Sequence, residues 1–256
     1  MLKGKKGIVF GIANDHSIAW GITKKLSENG AKLVISYQNN TLLKRVEPLS
    51  KKVNCELLIE CDFSNENHID QCFKKISQKW DSIDFIVHAV AYSDKNELSG
   101  NYLKTSKENF TNTLNISCYS FTKIANLASN LMKNGGSLIT LTFNGSNKVM
   151  PYYNVMGVAK AALETSVKYL SVDLGSKNIR VNAISAGPMR TLSGAVIEKS
   201  REVYKYTEKN SPLKRNVQLT EIGNTASYLV SDMSKSITGE IHYVDCGFNI
   251  IGIPKN

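Results

Sequence analysis

The chain lacks any apolar run approaching the roughly 20 residues that a bilayer-spanning helix requires. Its start, Met1-Leu2-Lys3-Gly4-Lys5-Lys6, leads into a strand pattern too short for the core of an export signal, so a cytoplasmic protein is expected. Cysteine is sparse: Cys55, Cys61, Cys72, Cys118 and Cys246 are an odd number, widely scattered and without a Cys-x-x-Cys pair. That spacing argues against a disulfide framework and against a zinc site. His16, His68, His88 and His242 are equally dispersed, so no metal centre is expected. No repeat, low-complexity tract or linker interrupts the sequence, and residues 1–256 read as a single domain.

What is present is an ordinary globular composition. Hydrophobic residues make up 42% and charged residues 21%, enough apolar material for a sizeable core and too little charge for a disordered chain. A net charge of +10 admits an acidic partner. The lysines, however, are spread along the whole chain, with no zinc-finger, RNA-recognition or helix-turn-helix pattern, so no nucleic-acid partner is expected.

Strand and helix patterns alternate from the start. Residues 6–10 read as a buried strand ending at Gly11. A helix over 17–29 follows, with Ile18, Ile22 and Leu26 on one stripe and Gly30 as its C-cap, and then a second buried strand at 32–37. Strand, glycine turn, helix, strand in under 40 residues is the opening unit of a dinucleotide-binding fold. Further helices are expected at 41–52, 66–80, 115–133, from Tyr153 to Leu174, and at 220–231. Strands are expected at 56–60, 84–88, 137–142, 180–184 and 240–244. The alternation implies a doubly wound parallel sheet of about seven strands, covered by helices on both faces.

The first turn departs from the three-glycine fingerprint. It reads Gly11-Ile-Ala-Asn-Asp-His-Ser17-Ile18-Ala-Trp-Gly21, with Ser17 at the N-cap, where backbone N–H groups face an anion, and Gly21 allowing close helix–sheet packing. Further on, Tyr153 and Lys160 stand seven residues apart, close to two helical turns, and share one face. A phenol beside an ammonium can hydrogen-bond a developing oxyanion while the cation holds hydroxyls or lowers the phenol's pKa. A tyrosine at a helix start and a solvated lysine would give the same spacing.

Taken together, Gly11-x5-Ser17-Ile18-Ala19, Tyr37-Gln38-Asn39, Cys61-Asp62, Val87-His88, Tyr153-Asn-Val-Met-Gly-Val-Ala-Lys160, Arg180-Val-Asn-Ala-Ile-Ser-Ala-Gly-Pro188, Ser211-Pro-Leu-Lys-Arg215, Thr238-Gly-Glu240 and Val244-Asp245 carry a resemblance. In this order and spacing they resemble the NADH-dependent bacterial enoyl-acyl-carrier-protein reductases, a divergent branch of the short-chain dehydrogenase/reductase superfamily. The resemblance covers nearly the whole chain. It implies hydride transfer from NADH to C3 of a trans-2-enoyl group on acyl carrier protein in fatty-acid elongation. Tyr153 would stabilise the enolate and Lys160 would hold the nicotinamide ribose.

It further implies that Gly11, Ser17 and Ile18 meet the pyrophosphate and Asp62 and Phe63 the adenine. Ala89, Val90 and Ala91 would run beside the cofactor, with Pro188, Met189, Arg190, Thr191, Leu192 and Ser193 on the nicotinamide side. Gln38 falls where the ribose 2′ position is read. The neutral run Gln38-Asn39-Asn40 offers no cation to a 2′-phosphate, which favours NADH over NADPH, although Lys44 and Arg45 lie a turn further on. Ser93, Phe143, Met156 and Ile197 join Tyr153 on the substrate side. A homotetramer is implied as well.

The spacing also bears on the reaction. In carbonyl-reducing relatives the tyrosine stands four residues before the lysine, and here Met156 occupies that position. Moving the phenol back three residues shifts it about 4.5 Å along a helix axis if both positions are helical. That suits an enoyl thioester, whose negative charge appears on the C1 oxygen, away from the carbon that receives hydride. A carbonyl-reducing relative acting on 3-oxoacyl thioesters is the nearest alternative. A silent NADH-binding relative is another, because Phe143 replaces a tyrosine frequent in the family. The segment 191–210, with Leu192, Ala195, Val196, Ile197, Val203 and Tyr204, is expected to cover the substrate; an amphipathic helix packed on the core fits the same pattern. Lys199, Arg201, Lys205, Lys214 and Arg215 are candidates to meet an acidic carrier protein, diluted by Glu198, Glu202 and Glu208.

Overall fold

The computed structural model describes residues 1–195 and 198–254. Its strands are β1 (Lys6–Phe10), β2 (Lys32–Tyr37), β3 (Cys55–Glu60), β4 (Phe85–His88), β5 (Gly136–Thr142), β6 (Ile179–Ala186) and β7 (Ile241–Val244). All pair in parallel in one sheet, in the order β3-β2-β1-β4-β5-β6-β7. The helices are α1 (Ile18–Glu28), α2 (Asn40–Ser50), α3 (Glu66–Lys79), α4 (Lys95–Leu98), α5 (Lys107–Leu114), α6 (Ser120–Ser129), α7 (Asn154–Gly175), α8 (Leu192–Ala195), α9 (Ser200–Asn210) and α10 (Leu219–Val230). This is a Rossmann-like doubly wound sheet, as the alternation of patterns implied.

Period-2 alternation distributes the buried strand residues between two cores. Ile8 and Phe10 of β1, Val34 of β2 and Ile86 of β4 face α3, α6 and α7. Val9, Leu33, Ile35 and Val87 face α1, α2 and α10 on the other side. The register places Ile8 beside both Val34 and Ile86, so one face stays continuous across the sheet. Each such side chain stabilises the fold by about 1.5–3 kcal/mol when fully buried.

Three sequence expectations need correction. The helix expected over 115–133 belongs to a longer run: α5 begins at Lys107, a π-helical turn occupies Asn115–Tyr119, and α6 ends at Ser129. The inward face of α5 is polar, with Asn109 and Thr113 buried, so no apolar stripe betrays it. Gly21 does not serve helix–sheet packing. A Cβ there would lie 2.8 Å from the Leu219 Cβ, and one on Gly223 would lie 2.8 Å from the Gly21 carbonyl oxygen, so the two glycines let α1 and α10 touch backbone to backbone. Gly30 lies one residue beyond the cap, Asn29, in the left-handed conformation (φ 92°) that ends α1.

The strand order reverses between β1 and β4, and the crevice beyond the carboxyl ends of these strands is where such sheets bind ligands. Gly11, with φ 97°, makes the turn out of β1; a Cβ there would sit 2.0 Å from the Ala89 carbonyl oxygen. Only glycine lets the two strand ends approach this closely.

Candidate active site

One cleft of about 1250 Å³ runs along the carboxyl ends of the strands. At one end stand Gln38 after β2 and Asp62 and Phe63 after β3; the Gln38 amide donates to Asp62 Oδ1 at 3.4 Å. No lysine or arginine of residues 36–63 lines this end. Gly11, Ser17 and Ile18 follow. The Ser17 hydroxyl donates to the Asn14 carbonyl at 2.7 Å and accepts from the Trp20 N–H at 3.2 Å, which caps α1 and leaves its positive end facing the cleft. Ala89, Val90, Ala91 and Ser93 continue the wall after β4.

Pro188, Met189, Arg190, Thr191 and Leu192 line the far side after β6. Ser193 lies in α8, and Ile197, expected on the substrate side, falls outside the described residues together with Val196. The segment 191–210 is largely helical, as α8 and α9, and Val203 and Tyr204 of α9 line the cleft. The Arg190 guanidinium lies 4.7 Å from the centre of the Tyr204 ring and the Lys199 ammonium 5.7 Å from that of Tyr152, two cation–π contacts that tie this cover to the site.

The Tyr153 end of the cleft is built from β5, the loop after it, and α7. Tyr153 is the N-cap of α7, flanked by Tyr152 and Asn154 at φ 60° and 37°. These left-handed neighbours turn the chain sharply where the phenol enters the cleft. The Asn154 amide donates to the carbonyls of Glu97, Leu98 and Gly100, at 3.3, 3.0 and 3.3 Å, and holds α4 against the start of α7. The Tyr153 ring meets Phe143 edge-to-face at 5.1 Å and rests on Gly145, where a Cβ would lie 2.5 Å from Cδ1. Met156 is buried beside it and also faces the cleft.

Lys160, about two turns further along α7, is buried and donates to the Leu141 carbonyl at 2.8 Å. Burial pulls its pKa down to about 8, against the upward pull of the neighbouring Cys118 and Glu164. Burial, with the Glu164 charge adding to it, holds the Tyr153 phenol above its ordinary value, so it meets the cleft as a neutral hydrogen-bond donor. His88, fully buried between the Thr140 and Ser120 hydroxyls at 2.9 and 2.8 Å, is pushed down to about 3 by burial and by Lys160. It is a neutral prop behind the lysine.

The structure thus brings Gly11, Ser17, Ile18, Gln38, Asp62, Phe63, Ala89, Val90, Ala91, Ser93, Phe143, Tyr153, Met156, Lys160 and residues 188–192 into one cleft. Leu98, Ile116 and Met150 also line it and were not anticipated. Leu98 and Met150 are single apolar residues in segments without periodicity, and Ile116 reaches the cleft from the π turn, within a stretch expected to be α-helical.

The dimensions suit a dinucleotide. A helix N-terminus stands midway for a pyrophosphate, a neutral amide and a carboxylate stand at one end for a ribose and base, and a buried ammonium stands at the other.

Comparison with known proteins agrees. A family profile described as enoyl-(acyl carrier protein) reductase matches residues 11–249. The enoyl-acyl-carrier-protein reductase (NADH) 2 of Rhizobium meliloti (strain 1021) is 53% identical over 254 residues, covering 99% of this chain and 95% of that protein. The crystal structure of the FabI of Candidatus Liberibacter asiaticus superposes with a TM-score of 0.97 at 52% identity, covering 99% and 98% of the two chains. That of the Anaplasma phagocytophilum enoyl-acyl-carrier-protein reductase in complex with NAD gives 0.96 at 50% identity, covering 100% and 97%. The chain belongs to the enoyl-acyl-carrier-protein reductase family of short-chain dehydrogenases/reductases.

Proposed function

We propose that the chain reduces trans-2-enoyl-acyl-carrier-protein to the saturated acyl-carrier-protein with NADH, in fatty-acid synthesis. The observation that carries this is the buried, neutral Tyr153 phenol at the N-cap of α7, with Met156 standing where a carbonyl reducer places its acid. NADH bound in the cleft supplies the hydride that adds at C3. Tyr153 donates a hydrogen bond to the thioester oxygen as charge develops there, an oxyanion-type stabilisation. Lys160 holds the nicotinamide ribose hydroxyls and adds positive charge near the enolate. A proton then adds at C2.

The remaining assignments follow the cleft. Gly11, Ser17 and Ile18 hold the pyrophosphate; Gln38, Asp62 and Phe63 hold the adenosine end; Ala89–Ala91 and residues 188–193 flank the nicotinamide. Ser93, Phe143 and Met156 shape the acyl side. The absence of a cation from residues 36–63 along the adenosine end supports NADH over NADPH. Arg201 and Lys205 line the mouth and are suited to the acidic face of a carrier protein. The single seven-stranded sheet supports one domain. Exposed Phe110, Tyr119, Val158, Tyr169 and Val172 on α5, the π turn and α7, with Tyr243 on the edge strand β7, support a homotetramer, testable by sedimentation equilibrium. Among the described residues no helix is long and apolar enough to cross a membrane, which is consistent with the cytoplasmic location proposed here.

The test is loss of NADH absorbance with a short trans-2-enoyl thioester, beside NADPH and a 3-oxoacyl control. Enoyl turnover that falls by about 10²–10³ in Tyr153→Phe, with NADH affinity retained, is the expected result. Turnover of the 3-oxo substrate alone would overturn the reading. The same assay with carrier-bound and CoA-linked substrate tests the mouth. Charge reversal at Arg201 and Lys205 should raise KM for the carrier-bound form more than for the CoA form.

A further inference from the structure

Glu164 is a buried carboxylate that the proposed chemistry leaves without a task. It is 8% exposed, and among the described residues no lysine, arginine or histidine lies within 4.0 Å of it. An unpaired buried charge is costly unless hydrogen bonds replace its lost water. Here they do. The Thr142 hydroxyl donates to Oε1 at 2.6 Å and the Ser146 hydroxyl at 2.5 Å, while the Asn147 amide approaches Oε2 at 3.4 Å and the Tyr243 hydroxyl at 3.0 Å.

Position makes this carboxylate more than a staple. It stands four residues after Lys160, on the same face of α7. Lys160 grips β5 at Leu141 and Glu164 grips the next residue, Thr142. Through Ser146 it also holds the loop whose Gly145 supports the Tyr153 ring; a Cβ on Gly157 of α7 would lie 2.7 Å from the Gly145 carbonyl oxygen, so loop and helix are in backbone contact. The titratable groups facing Lys160 are Cys118 from the π turn, His88 from β4, and Tyr153 and Glu164 from its own helix. Tyr243 of β7 faces Glu164 through Asn147. Glu164 is the one carboxylate whose charge bears on both Tyr153 and Lys160 among the described residues.

We propose that Glu164 is a positioning residue of the reaction: its hydroxyl-ligated carboxylate fixes the β5–α7 loop under Tyr153 and sets a negative charge one helical turn from the buried Lys160 ammonium. The proposal rests on the reading that Lys160 holds the cofactor, and its test is therefore made on binding as well as on turnover. NADH affinity of the full chain is measured by fluorescence from pH 6 to pH 9.5, in the wild type and in Glu164→Gln and Glu164→Asp. Loss of affinity at high pH should begin about one pH unit lower in Glu164→Gln, and Glu164→Asp should restore the wild-type midpoint. A Glu164→Gln profile that coincides with the wild type overturns the proposal, even if turnover falls.

If Glu164→Gln does not fold, the Thr142→Val/Ser146→Ala variant decides. It keeps the carboxylate but removes the two hydroxyls that tie it to β5 and to the loop under Tyr153, so kcat should fall about tenfold or more while the high-pH midpoint of NADH affinity stays at the wild-type value. A kcat equal to that of the wild type overturns the proposal. A wild type that turns over enoyl substrate while the Glu164→Gln midpoint stays in place leaves the reductase reading standing and removes only the role of Glu164. A wild type that binds no NADH removes both.

Discussion

The two ends of the cleft are made from different materials. At the β1–β4 end the contacts offered are mostly backbone: the N-terminus of α1, the turn at Gly11, and the run of small residues from Ala89 to Ala91. At the β5–β6 end they are side chains, two of them titratable and buried, Tyr153 and Lys160, with the buried Glu164 behind them. A backbone cradle accepts any side chain that leaves its path free, and recognises a phosphate without a charge of its own. The reacting end has to hold charges out of water, so every neighbour of Lys160 and Tyr153 alters what they do. Binding of the pyrophosphate and the adenosine should therefore be separable from the chemistry by substitution.

The sharpest test of that separation is Gly145→Ala. The new Cβ would sit 2.5 Å from the Tyr153 ring and must displace it. A displacement of that order lowers kcat by about 10²-fold. NADH affinity should stay within about threefold of wild type, because the α1 end is untouched. Equal losses in both would show that the two ends act as one unit.

Between pH 7 and pH 4.5, above the range in which the depressed carboxylates of Glu56, Glu97 and Glu221 titrate, acid sensitivity should come from the buried His88 behind Lys160. His88 is held down to about 3 from an ordinary 6.5, so its neutral form belongs to the fold. The unfolded chain binds a proton that the native state refuses between these values. Stability is therefore fully present above pH 6.5 and is lost progressively as pH falls toward 3. Urea midpoints measured from pH 7 to pH 4.5 should decline, and decline less steeply in His88→Gln. Parallel slopes would place the acid sensitivity elsewhere.

The smallest effect is expected at Phe143. Its ring packs edge-to-face on Tyr153 and offers no proton, so any route that uses a donor here is closed to this chain. Phe143→Tyr should leave kcat within about tenfold of wild type; a larger gain would reveal an impaired proton path.

The contrast also explains what could be read in advance. The βαβ opening, the Ser17 cap and the alternation of strands and helices are local properties, carried by period-2 and period-3.6 patterns and by capping chemistry. Segment 95–114 was not legible, because the buried positions of α5 are Asn109 and Thr113, which hydrogen-bond each other at 3.1 Å instead of joining an apolar core. The direction of the Gly21 contact was misjudged for a related reason: a glycine announces close approach and does not say to what.

By itself the sequence determined the order of elements, the parallel sheet, and the pairing of Tyr153 with Lys160 seven residues on, since each depends on spacing along one chain. It also carried, in motif order, the membership of a reductase family. Tertiary structure alone decided the burial of Lys160, His88 and Glu164, and with it their protonation. A lysine or glutamate in a helix has no local mark of burial. Its charge state follows from which strands and loops close over it, and that is settled only when β5, β6 and α7 pack together.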